Sequence, residues 1–338
     1  MPNRPYLGKE VSEIAMYKPH AAGTEGAVSC NNPYAAAAGL EMMKKGGNAI
    51  DAAVAVSLVL GVVEPYHSGI GGGCFHIVYH KESNEFFAVD ARGVAPLGAW
   101  QDMFLDEDGG VDLNLTEFSG RATAVPAFYR AMDNVLKKYG TMTWKEVSEP
   151  AIRLCREGFA CGFAYARISD TPESEHNKAE YEGFAELYLN EGKPREYGEI
   201  ITNPDLADTL EGVARNGVDW FYNGPVADDI VKHVQKHKGI LVKEDLEKCT
   251  PIERMPVRGT YRGYDVVSMA PPSSGGSHII QMLNILEQFD LEKMGFHSAD
   301  STHVLAETMK LMFADRSVAM GCPCRTSCPV PLGCCNGS

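Results

Sequence analysis

The length, composition and charge of this chain indicate a globular protein and exclude several classes of function. Its 338 residues are 44% hydrophobic and 22% charged, as in folded domains. The net charge of -14 disfavours nucleic acid and anionic membrane surfaces as partners. The longest apolar run, residues 52–63, is too short to cross a bilayer, and residues 1–28 lack the apolar region of a signal peptide. We therefore expect a cytoplasmic protein that does not span a membrane.

Two helices are predicted near the start of the chain. Asn32 can cap the first helix, Pro33 suits its first turn, and the glycine pair at residues 46–47 ends it. Asn48 can cap the second helix, which has Asp51 in its first turn and is apolar on nearly every face. A helix that is apolar all round is expected in the interior of the protein.

A glycine-rich stretch at residues 68–74 follows the second helix. Two strand-like runs come after it, at residues 75–79 and 86–89. Nucleotide-binding fingerprints have the order strand, glycines, helix, whereas here a helix precedes the glycines and a strand follows them. We therefore favour close approach of a helix to a sheet over phosphate binding.

The rest of the chain predicts one continuous layered domain in which helices flank a sheet. Helical patterns cover residues 128–158, 203–213, 226–237 and 278–289, and residues 258–269 resemble one or two strands. Residues 167–198 are rich in Glu and Lys, which predicts a solvated helical excursion. We place an N-terminal extension at residues 1–24, the domain at 25–320 and a cysteine-rich tail at 321–338.

Five of the ten cysteines are scattered through the predicted domain. A lone cysteine in a helix or strand is most often a small buried hydrophobe, and we expect this of all five. They are Cys30, Cys74, Cys155, Cys161 and Cys249.

Several segments taken together resemble the gamma-glutamyltranspeptidase (glutathione hydrolase) family of N-terminal nucleophile hydrolases. In chain order, the matching segments are residues 45–56, 61–65, 68–73, 90–96, 203–207, 258–264, 271–276, 298–300 and 313–316. The resemblance implies an α+β fold, the αββα sandwich of the Ntn hydrolases. This chain is expected to hold only the large-subunit half of that sandwich, with the small-subunit half absent.

The resemblance also implies the chemistry. Enzymes of this family are made as one precursor that cuts itself into a large and a small subunit. The freed N-terminal threonine of the small subunit attacks the gamma-glutamyl amide of glutathione and related compounds, and its own amine serves as the base. The glutamyl group then passes to water or to an acceptor. The expected partners are thus a gamma-glutamyl substrate such as glutathione and the small subunit, with no metal or organic cofactor.

Arg92 is the one site residue that the resemblance carries over to this chain. It stands in Asp90-Ala-Arg-Gly-Val-Ala-Pro96, which matches the family motif Asp-x-Arg-x-x-Ala-Pro. A guanidinium is a planar fork that can bind the alpha-carboxylate of a glutamyl group through two hydrogen bonds, and we expect it in a partly dry pocket. The alternative is a surface ion pair at a strand end. Gly93 and Val94 depart from the family pattern and leave substrate choice open.

No catalytic nucleophile is predicted in this chain. Ser301-Thr302-His303 superficially resembles the family's nucleophile sequence, but it lies in a stretch with helical spacing, so we reject Thr302. Residues 273–276, Ser-Ser-Gly-Gly, match a large-subunit motif and do not inherit small-subunit roles. The chain alone is therefore expected to be inactive, and unpaired strand edges would leave it prone to aggregate or partly open.

Two alternative functions stay open at this point. The first keeps the fold and changes the substrate, giving a related amidase or acylase such as oxamate amidohydrolase or a cephalosporin acylase. The second is a non-catalytic protein that uses Arg92 to bind glutamyl ligands.

The cysteine-rich tail has two interpretations. Its cysteines are Cys322, Cys324, Cys328, Cys334 and Cys335. Where the family continues with an acidic stretch, this sequence resembles out-of-frame translation and an early stop. The rival is a zinc site, but the tail lacks paired Cys-x2-Cys motifs and its prolines limit folding, so we favour the first interpretation.

Overall fold

The computed structural model describes residues 22–171 and 181–319, which form a mixed α+β fold. The helices are α1 (Pro33–Lys44), α2 (Ala49–Val63), α3 (Leu113–Glu117), α4 (Phe128–Tyr139), α5 (Trp144–Glu157), α6 (Phe163–Ser169), α7 (Glu182–Tyr188), α8 (Pro204–Asn216), α9 (Asp219–Asn223), α10 (Pro225–Lys236), α11 (Lys243–Glu247), α12 (Ser274–Leu286), α13 (Leu291–Met294) and α14 (Ala299–Ala319). A 3-10 turn covers Gly120–Ala122. Within the described residues, no helix is both long and apolar enough to cross a membrane.

The strands form one three-stranded sheet and three two-stranded pairs. They are β1 (Cys74–His80), β2 (Glu85–Ala91), β3 (Phe159–Ala160), β4 (Leu189–Asn190), β5 (Lys193–Pro194), β6 (Ile200–Ile201), β7 (Ile252–Arg254), β8 (Val257–Tyr261) and β9 (Tyr264–Ser268). The larger sheet has the order β1-β2-β7 with antiparallel neighbours. The pairs are β3–β6, β4–β5 and the hairpin β8–β9, which confirms strands in residues 258–269.

Helices α1 and α2 begin at the predicted caps. The Asn32 side chain accepts a hydrogen bond from the Tyr34 N–H at 3.0 Å. Asn48 accepts from the Ile50 N–H at 2.8 Å, and its own N–H donates to Asp51 Oδ2 at 2.8 Å, which completes a capping box. Nine of the 15 residues of α2 are buried, and α2 packs against α1, α4 and α5. The prediction of an interior helix is therefore confirmed.

One continuous core runs from Ala35 to Cys249. Its largest fully buried side chains are aromatic and include Tyr129, Tyr165, Tyr222 and Phe221. Burial of the Tyr222 hydroxyl costs little, because this hydroxyl donates to the Pro126 carbonyl at 3.0 Å. Helices before and after the main sheet thus share one apolar interior.

The scattered cysteines are mostly buried, as predicted. Cys155, Cys161 and Cys249 are buried, whereas Cys30 and Cys74 are only partly so. Burial raises the pKa of Cys155 to about 12 and that of Cys249 to about 11, so both thiols stay protonated at neutral pH.

The predicted helical stretch at residues 128–158 consists of two helices, α4 and α5, with a turn between them. Thr143 and Glu146 form the predicted capping box of α5, in which the Thr143 N–H donates to Glu146 Oε2 at 2.8 Å. Gly140 begins the turn, and a Cβ there would lie 2.6 Å from the Leu136 carbonyl oxygen. Only glycine allows this close approach.

The prediction of a solvated excursion at residues 167–198 is wrong in part. Helix α7 and the pair β4–β5 lie in this stretch, and Tyr188 and Leu189 are buried. The Tyr188 ring stacks on Phe184 at 4.5 Å between centroids and contacts Tyr165 at 5.3 Å. Apolar and aromatic residues interspersed among the Glu and Lys residues bury this part of the stretch against the core.

In the C-terminal part, the hairpin β8–β9 packs on α12, and α12 packs on α14. Helix α12 begins at Ser274, four residues before the predicted start, because Ser273 caps it by accepting the Gly275 N–H at 3.3 Å. A Cβ on Gly276 would lie 2.3 Å from the Met269 carbonyl oxygen, so the glycine permits close packing on β9. Helix α14 packs on α12 and leaves several apolar side chains exposed, namely Leu305, Met309, Leu311 and Phe313. The tail at residues 321–338 and most of the N-terminal extension lie outside the described residues.

Candidate functional site

Arg92 is the first residue after β2, at the end of the sheet's central strand. Its backbone N–H donates to Asp90 Oδ1 at 3.1 Å, an arrangement in which an aspartate side chain directs the chain two residues further on. The Arg92 side chain is exposed. Within residues 22–171 and 181–319, its guanidinium takes part in no hydrogen bond or ion pair. The structure therefore presents an uncompensated cation at a defined place.

Asp90 is buried and has a different cationic partner. The Nε of Arg254 donates to Asp90 Oδ2 at 2.8 Å, and the carboxylate side chain is only 6% exposed. Strands β2 and β7 set this pair, because Asp90 lies opposite Ile252 and Ala88 opposite Arg254, which makes Asp90 and Arg254 diagonal neighbours on one face. The two oxygens of Asp90 thus serve two different groups.

The glycine-rich loop supports the Arg92 segment from the other side. A Cβ on Gly73 would lie 2.4 Å from the Ala91 carbonyl oxygen and 2.6 Å from the Gly93 nitrogen, so the two backbones are in direct contact. The Gly72 carbonyl accepts the Ala127 N–H at 2.9 Å and the Phe128 N–H at 3.0 Å, at the start of α4. The close approach that these contacts show joins the glycine-rich loop to the loop that carries Arg92, whereas the sequence predicted an approach of a helix to the sheet.

The residues that follow Arg92 in its loop are also held by contacts with other segments. A Cβ on Gly93 would lie 3.0 Å from the Ala124 Cβ, and the Val125 N–H donates to the Val94 carbonyl at 2.9 Å. Further on, the Leu97 N–H donates to the buried carboxylate of Asp245 at 2.7 Å. A side chain at residue 93 would therefore fit only if Ala124 and Val125 moved by a few tenths of an ångström.

A cavity of 520 Å³ lies beside this segment. It is lined by the end of α2, the glycine-rich loop as far as Gly73, and the start of β1, with Phe128 and Met132 of α4. Arg92 is not among its lining residues. The described residues therefore do not form the partly dry surroundings expected for Arg92.

Cys74 and His76 line this cavity and contact each other, with 3.4 Å between Sγ and Nε2. Burial, with a contribution from the negative charge of Asp90, raises the pKa of Cys74 to about 12, and burial lowers the pKa of His76. Both groups are therefore neutral near pH 7, and the thiol is a poor nucleophile. Among the described residues, no group of three or more His, Cys, Asp and Glu side chains is placed to hold a metal.

The rejected nucleophile Thr302 lies in the first turn of α14. Its N–H donates to the Ser298 carbonyl at 3.0 Å, so its backbone is part of a helix. Ser274 also has a structural contact, because its Oγ accepts from Arg316 Nε at 3.4 Å. These placements agree with the sequence analysis, which gave neither segment a catalytic role.

Sequence reasoning missed Arg254 and the contact role of Gly73. Arg254 lies in a three-residue strand that was not predicted, and nothing in its local sequence links it to Asp90, 164 residues away. Gly73 was recognised only as part of a glycine-rich stretch. Both roles depend on segments distant in sequence.

Known proteins resemble this chain over nearly all of its length. The Gamma-glutamyltranspeptidase family model matches residues 35–330. The Glutathione hydrolase proenzyme of Escherichia coli (strain K12) is 42% identical over 305 residues, 88% of this chain and 51% of that protein. The Acylase ACY 1 proenzyme of Pseudomonas sp. (strain SE83) is 35% identical over 97% of this chain and 59% of that protein. The chain thus spans about half the length of the curated relatives it matches.

A solved structure has the same fold. The Helicobacter pylori gamma-glutamyltranspeptidase superposes with a TM-score of 0.87 at 38% identity, covering 92% of this chain and 88% of that chain. The family model includes the segment that carries Arg92 and the glycine-rich loop, and the superposition covers most of the chain. The chain belongs to the gamma-glutamyltranspeptidase family.

Proposed function

We propose that this chain supplies the carboxylate-binding part of an enzyme that hydrolyses or transfers gamma-glutamyl groups, with glutathione as the substrate class. The observation that carries the proposal is the exposed guanidinium of Arg92 at the end of β2, which has no partner among the described residues. Asp90, Gly73 and the Val94–Val125 contact hold its backbone on both sides. A substrate carboxylate is the partner that such a guanidinium lacks.

Arg92 would bind and orient the glutamyl group. Two parallel N–H···O bonds from its guanidinium to the alpha-carboxylate fix both the position and the rotation of the substrate. This leaves the gamma-amide at a constant distance from the arginine, where a nucleophile can attack it. Because Arg92 is exposed, we propose that another part of the full-length protein covers it and excludes water.

We propose that the nucleophile, an N-terminal threonine, lies outside this chain, and that the chain alone is inactive. Thr302 lies in a helix with its N–H bonded to Ser298, so it cannot act as a freed terminal residue. The chain matches 88% of the solved Helicobacter pylori chain but 51% of the Escherichia coli proenzyme, which supports a large-subunit half. The remaining half of the αββα sandwich would then come from the rest of the precursor.

A second candidate is an acylase that cleaves another amide. The observation that favours it is the 35% identity to the Acylase ACY 1 proenzyme over 97% of this chain. An acylase that does not bind an alpha-carboxylate would make no use of Arg92.

The experiment uses the chain extended by the C-terminal half of its precursor. We expect hydrolysis of gamma-glutamyl-p-nitroanilide, and much slower hydrolysis of butyryl-p-nitroanilide, which lacks the alpha-amino and alpha-carboxylate groups. Arg92→Lys should raise KM about tenfold or more, because an ammonium does not bind a carboxylate as a fork. Arg156→Lys is the matched control, because Arg156 forms a surface ion pair with Glu211 on α8.

Preference for the butyryl substrate, with no effect of Arg92→Lys, would replace the transpeptidase proposal by the acylase. Hydrolysis of gamma-glutamyl-p-nitroanilide by the chain alone would refute the proposed place of the nucleophile.

A further inference from the structure

We infer that Asp90 and Arg254 are positioning residues for Arg92. Their ion pair occupies the buried carboxylate of Asp90, which would otherwise bind the Arg92 guanidinium and withdraw it from a substrate carboxylate. The inference rests on the proposed function of Arg92 and extends it to two residues that need not touch the substrate.

Asp90 lies close to Arg92. Asp90 Oδ1 accepts the Arg92 N–H at 3.1 Å, so the carboxylate already contacts the residue from which the Arg92 side chain starts. The Arg92 side chain starts at this contact and is long enough to fold back onto the carboxylate. A free carboxylate at residue 90 is therefore well placed to pair with the guanidinium of residue 92.

Asp90 is also buried. At 6% exposure, its ionised carboxylate is largely removed from water and needs a cation and hydrogen-bond donors close by. Arg254 supplies both through its Nε at 2.8 Å. Because the demand of Asp90 is met by β7, Arg92 is left exposed and unpaired.

The sheet, and not the Arg92 loop, determines which cation pairs with Asp90. Arg254 lies diagonally opposite Asp90 in the β2–β7 ladder, and the register is held by backbone pairing from Ala88 to Asp90. Arg254 is itself 29% exposed, so its side chain reaches inward from the sheet face to the buried carboxylate. The Asp90–Arg254 pair therefore exists before any substrate arrives and preorganises the site.

A merely structural pair and a positioning pair predict different results for a double variant. In Arg254→Met, the carboxylate of Asp90 has lost its cation, and the Arg92 guanidinium turns to it. Adding Asp90→Asn removes that competing charge and keeps an oxygen that accepts the Arg92 N–H. If the pair positions Arg92, adding Asp90→Asn should free the Arg92 guanidinium again. If the pair is merely structural, Asp90→Asn should not restore the accessibility of Arg92.

The test measures the reaction of Arg92 with phenylglyoxal, which modifies accessible, unpaired guanidinium groups. The purified chain is labelled for increasing times, and the peptide that contains Arg92 is quantified by mass spectrometry. The readout needs no catalytic activity and no substrate. Labelling of other exposed arginines in the same sample corrects for reagent strength, and Arg156→Met is the control for loss of an arginine elsewhere.

We expect Arg254→Met to slow labelling of Arg92 about fivefold, the size of effect expected for a partly exposed ion pair. The Asp90→Asn/Arg254→Met double variant should return to within about twofold of the unaltered chain, as should Asp90→Asn alone. Should Arg254→Met fail to fold, Arg254→Gln makes the same charge change while keeping a donor for Asp90. Unchanged labelling in the folded single variant, or a double variant as slow as the single one, would overturn the inference.

The same variants in the full-length precursor give a second readout. Arg254→Met should raise KM for gamma-glutamyl-p-nitroanilide and leave kcat nearly unchanged, and the double variant should recover KM. If Arg92→Ala itself leaves KM unchanged, the proposed function of Arg92 fails, whereas the labelling result still reports on the Asp90–Arg254 pair. The two failures are therefore distinguishable.

Discussion

Replacement of the buried Asp51 by asparagine should destabilise the protein strongly. Asp51 is fully buried at the start of α2, and its carboxylate joins α2 to the turn between α4 and α5. Oδ1 accepts the N–H groups of Thr141 and Met142, both at 3.0 Å. Oδ2 accepts the Asn48 N–H at 2.8 Å and the Thr141 hydroxyl at 2.7 Å.

The magnitude follows from these bonds. An asparagine has one acceptor oxygen in place of two, so at least one buried backbone N–H loses its acceptor and faces an NH2 group. An orphaned buried donor costs ~1–3 kcal/mol, and the remaining bonds lose the strength that a charged acceptor gives them. We expect the free energy of unfolding to fall by about 3 kcal/mol at pH 7. Urea denaturation followed by tryptophan fluorescence measures this value.

The effect should also depend on pH. Burial by itself raises the pKa of Asp51, but the hydrogen bonds from Thr141, Asn48 and Met142 outweigh burial, and the pKa lies below its ordinary value of 3.8. A carboxyl whose pKa is lowered by folding contributes stability above its unfolded pKa and loses it as the pH falls through the folded value. The difference in stability between the unaltered chain and the Asp51→Asn variant should therefore stay constant from pH 8 to about 5 and shrink below about 4.

The matched control is Asp108→Asn, the same substitution at an exposed residue. We expect it to change the free energy of unfolding by less than about 0.5 kcal/mol. If Asp51→Asn costs no more than this control at pH 7, or if its cost grows below pH 4, the assignment of Asp51 as a buried link between α2 and the α4–α5 turn is refuted.

Three further predictions concern the candidate site and the sheet. Gly73→Ala should lower the free energy of unfolding, measured by urea denaturation, by about 2 kcal/mol, because the new Cβ would meet backbone atoms of the Arg92 segment. At Gly71 a Cβ would lie in open space, so Gly71→Ala should leave the free energy of unfolding almost unchanged. Burial raises the pKa values of Cys74 and Cys155 to about 12, so these two thiols should react with Ellman's reagent only after unfolding; fast modification of either one in native protein, located by peptide mass spectrometry, would contradict their burial. In the described sheet β1 is an edge strand, and its Ile77 is 40% exposed. Ile77→Lys should therefore reduce self-association of the chain, measured by sedimentation velocity. An unchanged distribution of sedimentation coefficients would show that this edge is not the contact.

Much of the local structure could be predicted from the sequence. The starts of α1, α2 and α5 follow from Asn32, Asn48 and Thr143, because a helix cap is an interaction between residues two or three apart. The α12 start was misplaced by four residues, since the glycines that follow Ser273 weaken the helical pattern. The buried part of residues 167–198 was missed because its aromatic residues lie among many charged ones.

The sequence alone determined the family, the helix caps and Arg92 as the candidate carboxylate ligand, since motifs and caps are read from neighbouring residues. Only the tertiary structure decided the partners of the buried carboxylates and the glycine contact that supports that arginine. Asp90 binds Arg254 across 164 positions and Asp51 binds Thr141 across 90, and Gly73 meets the Arg92 segment through the pairing of β1 with β2. Such contacts depend on strand register and on helix packing, which bring together residues whose local sequences carry no sign of one another.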